Sequence, residues 1–528
     1  MPWAQTANKD SMAILGSLLK KSIQLRKKLA GAKASPALLQ GHELEKLLTK
    51  AQETVFGRDK KFSAILEKGD EDLKVLYQEF KKNVPVYDYN KLYNQYWHRT
   101  RSGEKDICWP GKVKYFALSS GTSEASSKYI PVTNDMLKAI RRTSVRQILS
   151  LSHYKHLPNE LYTKKVLMLG GSTMLNDAGL YYEGDLSGIT ASQLPLWFQS
   201  FYKPGPKIAK ERNWEVKLNE IVKQAKDWDI GVIVGVPAWL QILLEKIIEH
   251  YKVKNIHEVW PNLSIFVHGG VAFEPYKKSF EKLLARPLNY METYLASEGF
   301  IAYQALPEQK SMQLVLDNGI FLEFVPFNEQ NFGADGQLAE NPETLMINEV
   351  EEGREYALLL TTCAGAYRYL IGDVIRFVSK ENSEIVITGR TKHFLSLCGE
   401  HLSVDNMNKA IRLVAEELNL EMNEFTVAGI PHGSLFAHHW FVGTNEPADA
   451  AVVREMLDAR LKELNDDYAT ERQHALKEVL VDVVPVNFFY RFMKMKGKEG
   501  GQNKFPRVIK GPLYEELKQF LKEEKQKG

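Results

Sequence analysis

Apolar positions recur along this chain in two rhythms. The stretch from Ser11 to about Leu29 repeats at helical spacing, and helical patterning continues towards Trp97. The texture then changes. Short β-type runs recur at Val113–Leu118, Val166–Leu169, Ile230–Val234, Leu263–Val267 and Leu288–Tyr294, each closing in glycine or small polar residues. Between them lie helix-like stretches, Asn134–Ser150, Trp214–Asp227, Pro237–Tyr251 and Tyr276–Leu284. Strand and helix in alternation predict βαβ units and a largely parallel sheet. From Ile320 to Ile387 strand follows strand (Phe321–Phe327, Tyr356–Leu360, Val374–Val378, Glu384–Ile387), which predicts an antiparallel portion.

After Gly389-Arg390 a new unit begins. Its pattern predicts a helix at Val404–Leu418, strands near Phe425–Ile430 and Phe436–Val442, and a helix at Ala448–Leu464. A strand at Val481–Val486 and a last helix near Leu513–Glu524 follow. The expected fold is α/β. A large N-terminal domain, residues 1–392, holds mostly parallel sheets plus the antiparallel portion. A smaller, mobile α+β C-terminal domain, residues 393–528, joins it near Arg390–Leu395.

Composition narrows the classes. At 528 residues the chain is too long for one core, and 44% hydrophobic with 26% charged residues is ordinary for a globular protein. The net charge is +3, and the basic pairs Lys27-Lys28, Lys60-Lys61 and Lys164-Lys165 are short and scattered, so no nucleic-acid face is expected. Cys108, Cys363 and Cys398 form no C-x-x-C pair, which argues against a disulfide framework or structural zinc and fits a reducing cytoplasm. The apolar stretch Met12–Leu19 runs straight into Lys20-Lys21, unlike a secretion signal. The most apolar region, Ile230–Leu244, contains Pro237 and Gln241 and is too short to span a bilayer. A cytoplasmic monomer without membrane partners is expected.

Chemistry concentrates in a few segments. In "YFALSSGTSEASSKYIPVT" an apolar run breaks into Ser119, Ser120, Gly121, Thr122 and Ser123, with Lys128 following. The Walker spacing is absent, yet hydroxyls and exposed amides after a strand can surround phosphate oxygens. His268-Gly269-Gly270 closes another strand. "YMETYLASEG" then offers Tyr294 to stack on a base and Glu298 to bind a cation. In "YRYLIGDVIR" Asp373 follows a glycine and can accept ribose hydroxyls; "ITGR" ends in Arg390, and "GQNKFPRVI" carries Lys504. Adjacent histidines on a strand point to opposite faces, so His438 and His439 do not make a metal site with His432.

The order of these segments resembles the adenylate-forming superfamily. "SSGTS", "TYLASE", "YRYLIGDVI" and "NKFPR" are most similar to its Gretchen Hagen branch of acyl-acid–amido synthetases, and a bacterial member is expected. The resemblance runs from about Leu92 to Val508. It implies that Ser119, Ser120, Gly121, Thr122 and Ser123 contact the phosphates of ATP, and that Tyr294 stacks on adenine with Gly270, Val271 and Thr293 beside it. It further implies Glu298 as the Mg²⁺ ligand, Asp373 on the ribose and Arg390 on ribose or phosphate. Lys504 would reach the α-phosphate and the carboxylate, so that Lys504, Glu298 and Thr122 carry the catalysis. Ala125 and "EASSK" depart from the plant pattern, where glycine often follows two residues after Ser123, and this leaves the path of the loop and the part of Lys128 open.

The implied reaction joins a carboxylic acid to AMP, releases pyrophosphate and transfers the acyl group to an amine, an amino acid being expected. Two anions meet in the first step, so the site must concentrate positive charge and donors. The C-terminal domain is expected to turn between the steps about a hinge near Arg390. Leu175, Tyr181, Tyr182, Val236, Trp239 and Phe300 are large and lie near family-type pocket positions; they fit an acid pocket or a core equally well. Gly170–Thr173 is taken as a loop. Two alternatives stand beside it: an acid–thiol ligase making acyl-CoA, which shares the adenylation residues and which Lys392 and His393 at the junction are too few to decide, and a nucleotide-binding protein without turnover, which would be expected to lack Glu298 or Lys504.

Overall fold

The computed structural model describes residues 34–69, 72–119, 128–154, 157–194, 196–270, 273–307, 309–333, 336–391, 402–432, 435–465, 468–469, 471–472, 476–498 and 505–527. The predicted helix at Ser11–Leu29 lies outside them.

An eleven-stranded sheet organises the N-terminal two-thirds. Its parallel half is β3 (Lys165–Leu169), β6 (Tyr202–Lys203), β7 (Ile230–Gly235), β8 (Ile265–Gly269) and β9 (Asn289–Ala296). They lie in the order β6-β3-β7-β8-β9. Helices α5 (Trp214–Gln224), α6 (Pro237–Tyr251) and α7 (Glu274–Lys282) form the crossovers. The α6 sequence explains itself: Pro237 opens the helix where no amide partner is needed, and Lys252 closes it in the left-handed conformation at φ 52°. Its Leu240, Leu243, Leu244 and Ile247 are buried against Ile233 and Phe266 of the sheet, a stripe at helical spacing meeting a strand surface.

The sheet turns antiparallel at the hairpin from β9 to β10 (Gly299–Tyr303). It continues through β11 (Met312–Leu314), β15 (Glu384–Arg390), β14 (Tyr369–Ser379), β13 (Glu355–Thr362) and β12 (Ile320–Pro326), as the strand-after-strand pattern predicts. Helices α1 (Pro36–Ala51) and α2 (Leu73–Asn83) belong to this half. Gln40 of α1 donates to the Leu316 and Ile320 carbonyls and accepts from the Leu322 amide. Tyr77 of α2 donates to Glu323, a buried carboxylate paired with Arg368. Helix α3 (Asn134–Ser150), capped by Thr133, packs on β10.

The serine-rich segment departs from its expected setting. β1 (Tyr115–Ser119) belongs to a separate four-stranded sheet with β2 (Lys128–Val132), β4 (Asn176–Asp177) and β5 (Tyr182–Gly184), in the order β2-β1-β5-β4. β1 and β2 are antiparallel, so Ser119 stands opposite Lys128 across the ladder. The loop between them connects a hairpin rather than a strand and a crossover helix. The "KYIPV" segment pairs as a strand because Ile130 and Val132 have a buried face to fill.

After Arg390 the large sheet ends. The proposed boundary at residues 392/393 lies outside the described residues. α8 (Val404–Leu418) begins the C-terminal unit with a Ser403–Asn406 capping box. Its sheet has the order β18-β17-β16-β19, formed by β16 (Glu424–His432), β17 (Leu435–Gly443), β18 (Leu476–Val484) and β19 (Val508–Ile509). Successive residues alternate faces. Val427 and Trp440 pack with α8 and α9 (Ala450–Leu464), whereas Ala428 and Phe441 pack with α10 (Asn487–Met495) and α11 (Pro512–Lys527). The pattern reading had no helix at α10, although Phe488, Phe489, Phe492 and Met493 fall on one helical face. His438 and His439 do face opposite ways: His439 joins Tyr514 and Asp482, and His438 packs on Tyr468.

The two units meet along α7. Tyr276 Oη donates to Glu424 Oε1 at 2.5 Å, and Ser279 Oγ donates to Glu421 Oε2 at 2.5 Å. Among the described residues no helix is long and apolar enough to cross a membrane.

Candidate functional site

Four side chains singled out in the sequence converge where the parallel and antiparallel halves of the large sheet join. Tyr294 comes from β9, Asp373 from β14, Arg390 from β15, and Glu298 from the turn between β9 and β10. The antiparallel register sets Asp373 opposite Arg390, and Arg390 Nε pairs with Asp373 Oδ1 at 2.9 Å. Tyr294 Oη donates to Asp373 Oδ2 at 2.5 Å. Gly372, at φ +90°, turns the backbone ahead of Asp373 in a conformation that a side chain would strain.

Glu298 is buried, and burial pushes its carboxyl above the ordinary value; Lys128 and Arg390 pull it back, and Asp373 adds to the rise. Lys128 reaches this group from β2, its Nζ lying 5.5 Å from the centre of the Tyr89 ring. The resulting arrangement is two carboxylates and two cations in a partly closed cleft. Hard oxygen donors of this kind suit Mg²⁺, and the flanking cations suit phosphate oxygens. Among the described residues no group of three or more metal-ligating side chains gathers.

Beside this cluster lie the ends of β8 and β9. Thr293 Oγ1 donates to the His268 carbonyl at 2.9 Å, which ties the strand carrying Tyr294 to the strand ending in Gly269. His268 and Glu292 are partners across that ladder. Burial holds the His268 imidazole down to about 4, and burial with Glu274 pushes the Glu292 carboxyl up to about 7. Glu292 escaped the sequence reading. Its position two residues before Tyr294, on the same face of the strand, was the available signal.

Ser120, Gly121, Thr122, Ser123, Val271 and Lys504 lie outside the described residues; Ser119 ends β1 opposite Lys128, and Gly270 directly follows β8. The pocket residues occupy several places. Tyr182 is exposed beside the Tyr115 ring, 6.1 Å away, and Leu175 is half-buried against the N-terminal core. The Tyr181 hydroxyl accepts from Arg101. Val236 caps α6. Trp239 is buried between Trp214, 5.1 Å away, and Tyr490 of the C-terminal unit, 5.9 Å away. Phe300 is buried in the core behind Glu298. The structure joins the nucleotide-type residues and spreads the pocket set over two sheets and a domain contact.

Fold and cleft together define the class: an α/β protein of the adenylate-forming type, with a mixed large sheet and a smaller α+β unit docked against it. The chain belongs to the GH3 family. The family's N-terminal domain matches residues 25–214 and 174–287, its central domain residues 313–390, and its C-terminal domain residues 405–512. An indole-3-acetic acid-amido synthetase of Arabidopsis thaliana is 28% identical over 31% of this chain, and the match spans about a third (31%) of the relative's own length. A jasmonoyl–L-amino acid synthetase of Nicotiana attenuata is 22% identical over 84% of this chain and 87% of its own. The solved structure of the GH3.15 acyl acid amido synthetase superposes with a TM-score of 0.74 at 18% identity, covering 92% of this chain and 93% of that one.

Proposed function

We propose that the protein activates a carboxylic acid with ATP as an acyl-adenylate, releasing pyrophosphate, and transfers the acyl group to an amino acid to give an amide. The observation that carries this reading is the convergence of Tyr294, Glu298, Asp373 and Arg390 in a chain matching the family over all three of its domains. The relatives named for amide formation agree with it.

In this reading Tyr294 stacks on adenine while its hydroxyl stays on Asp373, beside Gly270, Val271 and Thr293. Asp373 accepts the ribose hydroxyls, and Arg390 balances its charge and faces ribose or phosphate. The hydroxyls from Ser119 to Ser123 surround the phosphates. A carboxylate attacking a phosphate brings two anions together, so the cations Lys128, Arg390 and Lys504 lower the barrier by offsetting charge as it develops. Glu298 would hold Mg²⁺, which would supply further charge at the phosphates. Lys504 belongs to the C-terminal domain, so it acts when residues 393–528 are closed over residues 1–392. The enzyme works as a cytoplasmic monomer.

The test is pyrophosphate exchange over a panel of acids, followed by product mass with a mixed amino-acid pool in one tube and CoA in another. An amide mass supports the reading. A thioester and no amide overturns it in favour of an acyl-CoA ligase.

A further inference from the structure

Asp185 directly follows β5, which runs parallel to β1 with Ala117 paired to Gly184. Continuing that register sets Asp185 beside Leu118, one residue short of Ser119 and the entrance to the serine-rich loop. The same carboxylate lies against the end of β3. Gly171 packs so closely on it that a Cβ at that position would fall 2.1 Å from Asp185 Oδ2. The Gly171 amide donates to Ser187 Oγ at 2.9 Å, in helix α4 (Leu186–Ser192), which opens at Asp185. The carboxylate is thus held in place from its backbone side. Yet it is only half-buried, and among the described residues no donor hydrogen-bonds to its oxygens. It does not cap α4 either.

One cation stands behind it. Lys217 of α5 is 3% exposed, and its Nζ donates to the Gly170 carbonyl at 3.2 Å. Burial pulls the lysine down to about 8, with Asp185 and Glu211 opposing. Burial in turn raises the Asp185 carboxyl, with Lys217 opposing. A half-open carboxylate of raised basicity, with unfilled acceptors and a fixed counter-charge, suits a group that takes up a proton from a ligand. Its place is between the ends of β1 and β3, close to Ser119.

We propose that Asp185 is the general base that receives the ammonium proton of the acceptor α-amino acid, with Lys217 as the positioning residue that keeps it ionised. The inference rests on the amide-forming reading above. One ammonium proton passes to Asp185, and the freed nitrogen lone pair forms the bond to the acyl carbon. The bond from that carbon to the phosphate oxygen breaks, its electron pair leaves on AMP, and the remaining extra proton goes to water. Adenylation itself needs neither residue.

The test compares two nucleophiles on full-length enzyme. Hydroxylamine is already unprotonated at neutral pH, so it captures the acyl-adenylate as a hydroxamate without a base. For Asp185→Asn, amide formation with the amino acid should fall about a hundredfold, a general base contributing roughly that much or more, while hydroxamate formation stays within about twofold of wild type. Lys217→Met should show the same split and Lys217→Arg should restore the amide. Amide formation within about threefold of wild type, or hydroxamate and amide falling in parallel, overturns the assignment. Wild type that makes hydroxamate and no amide with any amino acid overturns the amide-forming reading itself, and this inference with it.

Discussion

Asp373 and Arg390 stand opposite one another across the β14–β15 ladder, with Arg390 Nε 2.9 Å from Asp373 Oδ1 and Tyr294 Oη on the other carboxylate oxygen. The carboxylate is held from two sides, so its direction is set before any nucleotide arrives. Preorganisation of this kind lowers the ordering cost of binding.

Asp373→Ala should therefore weaken ATP binding more than it slows chemistry. Hydrogen bonds to a charged group contribute about 1.5–3 kcal/mol, roughly ten- to a hundredfold in KM for ATP. Ribose contacts exist in ground and transition states alike, so kcat should change much less. Steady-state kinetics in ATP decides; an unchanged KM with a collapsed kcat would move Asp373 into the chemistry.

Glu298→Gln should show itself through magnesium. The buried carboxylate keeps its shape as an amide and loses the charge that a hard cation needs. The Mg²⁺ concentration for half-maximal pyrophosphate exchange should rise about tenfold or more, since each 1.4 kcal/mol of lost affinity is tenfold. A magnesium titration that overlays wild type would make Glu298 a structural residue.

Glu424 is the centre of the domain contact. It pairs with the largely covered Arg507 at 2.8 Å and accepts from Tyr490 and from Tyr276 of the other unit. Glu424→Ala leaves the guanidinium buried and unpaired, at a cost of about 3–5 kcal/mol read from denaturant unfolding of the C-terminal unit. Tyr276→Phe removes one hydroxyl among several contacts between the units and should cost about 1 kcal/mol. Equal losses in the two variants would contradict this division.

His268 predicts a pH dependence. Its folded value of about 4 lies below the ordinary 6.5, and its Nδ1 has no partner among the described residues. The unfolded chain therefore binds a proton that the folded one refuses. Stability from this group is complete above about pH 6.5 and is lost as pH falls towards 4. Glu292 works the other way: its raised carboxyl, at about 7, gains stability as pH falls from there to the ordinary carboxylate range. His268→Asn should remove the first effect only. The difference in unfolding free energy between wild type and variant should shrink from pH 7 to pH 4.5, and a constant difference would mean that the folded imidazole takes up its proton as readily as the unfolded one.

Much of this was legible in the chain as text. Helices Asn134–Ser150, Pro237–Tyr251 and Val404–Leu418 match their sequence-predicted bounds, because helical periodicity and end residues are local properties. The antiparallel run from Ile320 to Arg390 and the motif residues Tyr294, Glu298, Asp373 and Arg390 were legible too, each carried by a short segment.

What no short segment contains is which strand lies beside which. Whether the strand before the serine-rich loop joins the large sheet or a small one of its own depends on the apolar faces of Ile130 and Val132, and on a parallel partner, β5, far along the chain. The Tyr294–Asp373–Arg390 cluster exists because the β9–β10 hairpin at Gly299 and the pairing of β11 with β15 put the ladder of β14 and β15 in the same sheet as β9. Asp185 and Lys217 carry no motif, and only the turn at Gly170-Gly171, which packs on the one and accepts from the other, makes them neighbours. Local side-chain order determines the elements. Burial shared between distant segments decides their neighbours, and the chemistry lies in those neighbours.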